Sequence, residues 1–112
     1  MNTLQNTYRR SGGSRNPQRL PCVYLLANKR SGTLYVGVTS NLVQRVWQHK
    51  NDLIPGFTRQ YGVHRLVWYE AHDTMATAIA REKAVKKWKR TWKVKLIEES
   101  NSTWRDLYEG LA

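Results

Sequence analysis

The chain has one cysteine, one phenylalanine and two methionines in 112 residues. A lone Cys22 excludes an internal disulfide, and no Cys/His spacing suggests a zinc site. Its expected role is a small apolar side chain in a strand. No run approaches the roughly 18 apolar residues that a membrane span needs. Met1–Leu20 holds no apolar stretch of the signal-peptide kind. Acid is scarce: eight Asp plus Glu stand against nineteen Lys plus Arg, a formal charge of +11. That exceeds the magnitude of about 2–8 suited to solubility in a small domain. It points to a polyanionic partner, nucleic acid ahead of an acidic membrane surface.

The length fits one domain. A hydrophobic fraction of 40% supports a modest core without disulfide or structural metal. Residues 1–19 read as a basic, disordered tail: Arg9, Arg10, Arg15 and Arg19, no acid, and little to bury. Such a tail is either an arm that touches phosphate or an artefact of the assigned start. Residues 20–112 are expected to form the folded domain. Residues 22–27 and 33–38 are strand-like around the turn chemistry of Asn28–Gly32, a β-hairpin. A loop at Lys29–Gly32 pairs Tyr24 with Gly37 and Leu26 with Tyr35. The two tyrosines then share a face, diagonal to each other.

Thr39-Ser40-Asn41 offers caps for a helix over 42–50. A loop from Asn51 to His64 leads to a third strand over 65–70. Asp73 or Thr74 caps a second helix running to about Arg90. A short helix over 93–99 and a helical turn or two within Thr103–Leu111 follow. The order β-β-α-β-α-α predicts an α+β fold: a three-stranded antiparallel or mixed sheet flanked by helices.

Some residues stand out of place. Met75, Ala78, Ile79 and Val85 form the apolar side of the second helix, and Glu82 falls among them. An unpaired carboxylate there costs several kcal/mol to desolvate. Glu82 is therefore a buried ion pair or helix edge, or else a metal ligand or general base. Arg45 and His49 are one turn apart on the first helix. They read as a polar face, or as a cationic clamp in which Arg holds a phosphate and His moves a proton. Tyr24 and Tyr35 read alone as packing. Together the five match what phosphodiester hydrolysis needs: an activated water, neutralised charge and a held divalent cation. Residues 81–95 add eight cations against Glu82 alone, including Lys83, Lys86, Lys87, Lys89 and Arg90, a surface suited to tracking phosphates. Trp88 and Trp92 interleave with them and read as core rather than base-stacking platforms.

In this order and spacing the residues resemble the GIY-YIG nuclease superfamily. The likeness is to its small stand-alone members, related to the excinuclease amino-terminal (URI) domain. Val23-Tyr24-Leu25 keeps only the tyrosine of the first motif. Tyr35-Val36-Gly37 is a variant of the second. Arg45 lies ten residues on, His49 one turn later, and Glu82 sits in Ala80-Arg81-Glu82-Lys83. Asn101 matches the downstream asparagine, although Ser102 replaces the proline that follows it in the small members. Leu96-Ile97-Glu98, Trp104, Asp106 and Leu107 also look like those members, so the likeness spans about 21–109.

The resemblance implies a DNA endonuclease using one divalent ion, Mg2+ or Mn2+, held by Glu82. It implies a tyrosine general base, assigned to Tyr35, with Tyr24 positioning water or phosphate. A free phenol ionises near pH 10, so a cation such as Arg45 or the metal must favour phenolate. Arg45 is expected to stabilise the developing charge, His49 to relay a proton or bind phosphate, and Gly37 and Asn101 to support the site. The expected partner is DNA, including branched or flapped forms, with no membrane and with a protein partner for targeting. The expected setting is cytoplasmic and bacterial. A non-catalytic nucleic-acid-binding domain of the same fold explains the charge but not Glu82. A protein-interaction domain built on the five Trp and six Tyr predicts weak DNA affinity.

Overall fold

The computed structural model describes residues 20–111. The stretch 1–19, read above as a tail, lies outside them. Cys22–Ala27 forms β1 and Leu34–Thr39 forms β2. They pair antiparallel, Tyr24 opposite Gly37 and Leu26 opposite Tyr35, as the loop length predicts. Helix α1 spans Leu42–Lys50, and the Asn41 side chain accepts from the Gln44 N–H to cap it. Strand β3 (Arg65–Ala71) pairs antiparallel with β1, giving one sheet of order β2-β1-β3. Helices α3 (Met75–Lys87, capped by Thr74) and α4 (Arg90–Ser100) follow, then a 3-10 turn over Leu107–Gly110. Among the described residues, no helix is long and apolar enough to cross a membrane.

Both faces of this small sheet are covered, so every residue of central β1 is buried. Val23, Leu25 and Ala27 join Ala78 and Val85 of α3, Ile97 of α4 and Trp104. Cys22, Tyr24 and Leu26 join Leu42 and Val46 of α1 on the other face. The period of two along β1 is therefore not a choice between core and water. It is a choice between two cores, and it places Tyr24 under α1.

Three details depart from the sequence expectation, and a fourth lies beyond it. The segment read as loop 51–64 contains a short helix, α2 (Phe57–Tyr61), bounded by Gly56 and by a left-handed Gly62. The long helix expected to reach Arg90 stops at Lys87. Trp88 and Lys89 are extended, with ψ of 152° and 151°. Leaving the helix lets Trp88 pack against the α3-side core, and Arg90 then donates to the Ser31 and Gly32 carbonyls of the hairpin loop. Met75 and Ile79 are exposed rather than on the buried arc, which is Ala78, Glu82 and Val85. Ile79 lies about 100° round the helix from Ala78 and falls on the rim of that arc. Finally, the register of β3 slips against β1: Leu25 faces Trp68 but Leu26 faces Leu66, leaving Val67 as a bulge.

Candidate active site

The hairpin and α1 bring three rings together. Tyr24 and Tyr35 have centroids 6.3 Å apart, and the His49 ring lies 5.9 Å from the first and 5.5 Å from the second. The close approach depends on Gly37. A Cβ there would stand 2.4 Å from both Cζ and Oη of Tyr24. The missing side chain opposite Tyr24 is the space its phenol occupies.

His49 is 1% exposed. Its Nε2 lies 3.1 Å from Tyr24 Oη, and its Nδ1 lies 2.9 Å from Thr58 Oγ1. Burial pushes its pKa down to about 4, with Arg45 and then His64 adding to the shift. The ring is therefore neutral at pH 7. The expected cationic clamp thus carries one charge, Arg45's alone, and one ring nitrogen of His49 stays unprotonated. A neutral imidazole has one donor and one acceptor nitrogen. Hence one of the two hydroxyls donates to the ring and the other accepts from it.

Because the folded-state pKa lies below the ordinary 6.5, the buried neutral ring supports the fold fully above pH 6.5 and less as pH falls toward 4. The loss is up to about 1.4 kcal/mol per pH unit in that window. Urea unfolding of wild type should therefore lose stability between pH 6.5 and 4 that His49→Gln does not lose. A flat wild-type-minus-variant difference across the window would refute the buried neutral imidazole.

Glu82 is 7% exposed on α3, where its place on the apolar arc put it. Its charge reaches Tyr24. Burial chiefly raises the Tyr24 pKa, Tyr35 and Glu82 raise it further, and Arg45 opposes them. Tyr24, Tyr35, Arg45 and Glu82 thus belong to one electrostatic site, assembled from β1, β2, α1 and α3. The Glu82 carboxylate is not bare: Lys86 Nζ lies 2.5 Å from its Oε2, one turn along the helix. That hydrogen bond is the main reason the Lys86 pKa is raised.

Other expected residues divide. Lys83, Lys87 and Lys89 are exposed on the far side of α3 and just past its end. Arg90 is spent on the hairpin loop and Lys86 on Glu82. Trp92 is 54% exposed, with Lys89 Nζ 5.9 Å from its ring, so the reading of Trp92 as core is corrected. Trp88 is half-buried, beneath the Arg81 guanidinium.

Asn101 is buried but does not join the site. Its amide donates to the carbonyls of Val67 (3.1 Å) and Arg105 (2.9 Å), and its oxygen accepts from the Arg105 N–H. Both amide hydrogens are spent on backbone, so neither is left to orient Glu82. The Val67 carbonyl is the one the β3 bulge displaces from regular pairing, and Asn101 satisfies it. The same bonds close the turn 101–105, in which buried Trp104 takes a φ of 61°. That turn holds with Ser102 in place of proline.

Sequence reading missed Thr58. It is 3% exposed and holds the outer nitrogen of His49 from α2. A five-residue helix carries no periodicity, so nothing local marked it.

A small sheet carrying paired tyrosines, an arginine helix and a glutamate helix defines a nuclease-type domain. The chain belongs to the GIY-YIG family: residues 20–95 match the model of the GIY-YIG catalytic domain. A UPF0213 protein of Clostridium perfringens is 37% identical over 87 residues, covering 78% of this chain and 91% of that protein. A UPF0213 protein of Staphylococcus saprophyticus is 32% identical over 77 residues, covering 69% of this chain and 93% of that one. The solution NMR structure of a UPF0213 protein from Bacillus halodurans aligns at 27% identity with a TM-score of 0.49, covering 77% of this chain and 90% of that chain.

Proposed function

We propose that the protein is a DNA endonuclease that hydrolyses phosphodiester bonds with one divalent ion, Mg2+ or Mn2+. The observation that carries this is the convergence of two phenols, one guanidinium and one buried carboxylate on a single electrostatic site. Among the described residues, no three His, Cys, Asp or Glu converge as a protein cage for a metal. A single carboxylate such as Glu82 suits a hard ion that keeps most of its water, with further oxygen ligands supplied by a substrate phosphate. Such an ion, when bound, supplies Lewis-acid stabilisation of the phosphoryl oxygens.

The residues divide the remaining work. Tyr35, less buried than Tyr24, acts as phenolate and takes the proton of the attacking water as its oxygen adds to phosphorus; the leaving oxygen departs with the P–O electron pair and takes a proton from solvent. Tyr24 positions that water or the phosphate. His49, neutral and bonded to Tyr24, accepts or returns a proton through that hydroxyl. Arg45 stabilises the charge that develops on the phosphoryl oxygens. Lys83, Lys87 and Lys89 track flanking phosphates. Nicking of supercoiled plasmid with magnesium tests the reading directly. Tyr35→Phe should cost more than Tyr24→Phe in single-turnover cleavage, and the reverse order would exchange their roles.

One observation favours a second reading. The Glu82–Lys86 pair gives the buried carboxylate a structural reason of its own. A non-catalytic nucleic-acid-binding domain that keeps the fold would then bind DNA and leave the plasmid intact.

A further inference from the structure

The ring cluster does not end at Tyr35. Phe57, the only phenylalanine in the chain, stacks beside it, with centroids 6.4 Å apart and planes 23° from parallel. Tyr61 continues the row at 4.9 Å from Phe57. The inner rings are enclosed, but Phe57 is 44% and Tyr61 51% exposed. The helix under them, α2, is too short to hold its shape alone. It is held by the buried Thr58 bond to His49 and by the fully buried Val63 just beyond Gly62. The outer rings are thus open to solvent yet fixed relative to the catalytic tyrosine. Arg59 is exposed on the same helix, and Arg45 lies at the inner end.

Exposed rings costly to hydrate, beside cations and a phosphate site, match one ligand: a nucleobase with a free π-face. A base inside a duplex has both faces already stacked, whereas an unpaired base offers one to aromatic side chains. We infer that Phe57 and Tyr61 form a stacking platform for an unpaired base beside the scissile phosphate. The substrate class is then DNA with unpaired nucleotides at the cut: a single strand, a flap or a bulge. The position of this platform beside a cut rests on the nuclease reading; the stacking does not.

The test is binding in EDTA, where no cleavage occurs, with a fluorescein-labelled oligothymidylate and a blunt hairpin duplex as probes. The Phe57→Ala/Tyr61→Ala double variant should lose about ten-fold or more affinity for the single strand. It should change little on the duplex. Phe57→Leu keeps apolar bulk without a ring and should also lose single-strand affinity, whereas Phe57→Trp should retain it. A flapped duplex should follow the single strand. Equal losses on both probes, or wild-type single-strand affinity in Phe57→Leu, would overturn the platform. Thermal unfolding of each variant separates lost stacking from lost fold. Absence of magnesium-dependent cutting by wild type would overturn the nuclease reading and leave this result standing.

Discussion

Glu82→Ala should abolish magnesium-dependent cleavage while DNA affinity holds or rises. Removing the carboxylate proposed to hold the ion would forfeit several kcal/mol of charge stabilisation, about three decades of rate or more. Binding moves the other way because Glu82 also holds Lys86, with Nζ 2.5 Å from its Oε2. Without that partner the ammonium is free to meet a phosphate, and the chain gains one positive charge. Plasmid nicking gives the first quantity and fluorescence anisotropy in EDTA the second. Glu82→Gln serves beside it, since it keeps the side-chain volume in a site only 7% exposed. Cutting undiminished in both variants would sink the metal assignment. Binding lost in both would make Glu82 a structural residue instead.

The second large effect is expected at a residue with no side chain. Gly37→Ala places a methyl 2.4 Å from Cζ and Oη of Tyr24. A flexible surface ring would swing aside, but Tyr24 is 1% exposed and its hydroxyl lies 3.1 Å from His49 Nε2. Moving the ring breaks that bond and crowds a filled core. Overpacking costs about 1–3 kcal/mol, and a buried hydroxyl left unpaired costs about as much again. A misplaced ring also spoils the geometry of attack, worth about a hundred-fold for an error near 1 Å. Denaturant unfolding and single-turnover rates should therefore fall together. A variant with wild-type rate and stability would mean that Tyr24 is not held where its hydrogen bond puts it.

Much of this site could be read along the chain because its contacts are local or periodic. The register that sets Tyr24 against Gly37 follows from a loop counted in residues. Asn41 caps α1, and Arg45 and His49 follow from one helical turn. Glu82 announces itself by breaking an apolar arc, although two of the residues that drew the arc, Met75 and Ile79, proved exposed. What escaped is non-local or too short for a period. Thr58 acts through space on His49 from a helix of one and a half turns. The end of α3 at Lys87 has no glycine or proline to mark it; the packing of Trp88 decides it. The neutrality of His49 is a property of burial, so spacing alone suggested a cation where there is none. Asn101 was found by its place in a pattern, but its work is on the backbone of β3 rather than on Glu82.

That work reaches further than one carbonyl. Val67 and Trp68 are sequence neighbours, yet both side chains enter the layer beneath α3, while Leu66 and Tyr69 enter the layer beneath α1. A regular strand cannot do this. β3 changes phase by one residue midway, and its two halves obey different frames. Deleting Val67 would make Leu66 and Trp68 consecutive opposite Leu26 and Leu25, healing the ladder with β1 while the distal half keeps its register. Trp68 would keep its core and Glu70 the Arg81 guanidinium it accepts from at 3.1 Å, while the core would lose the Val67 side chain and Asn101 the carbonyl it donates to. The extra residue at 67 thus sets the length of the strand, and it is the position at which a residue can be lost without turning either half over. The amide that guards that length stands 34 residues downstream.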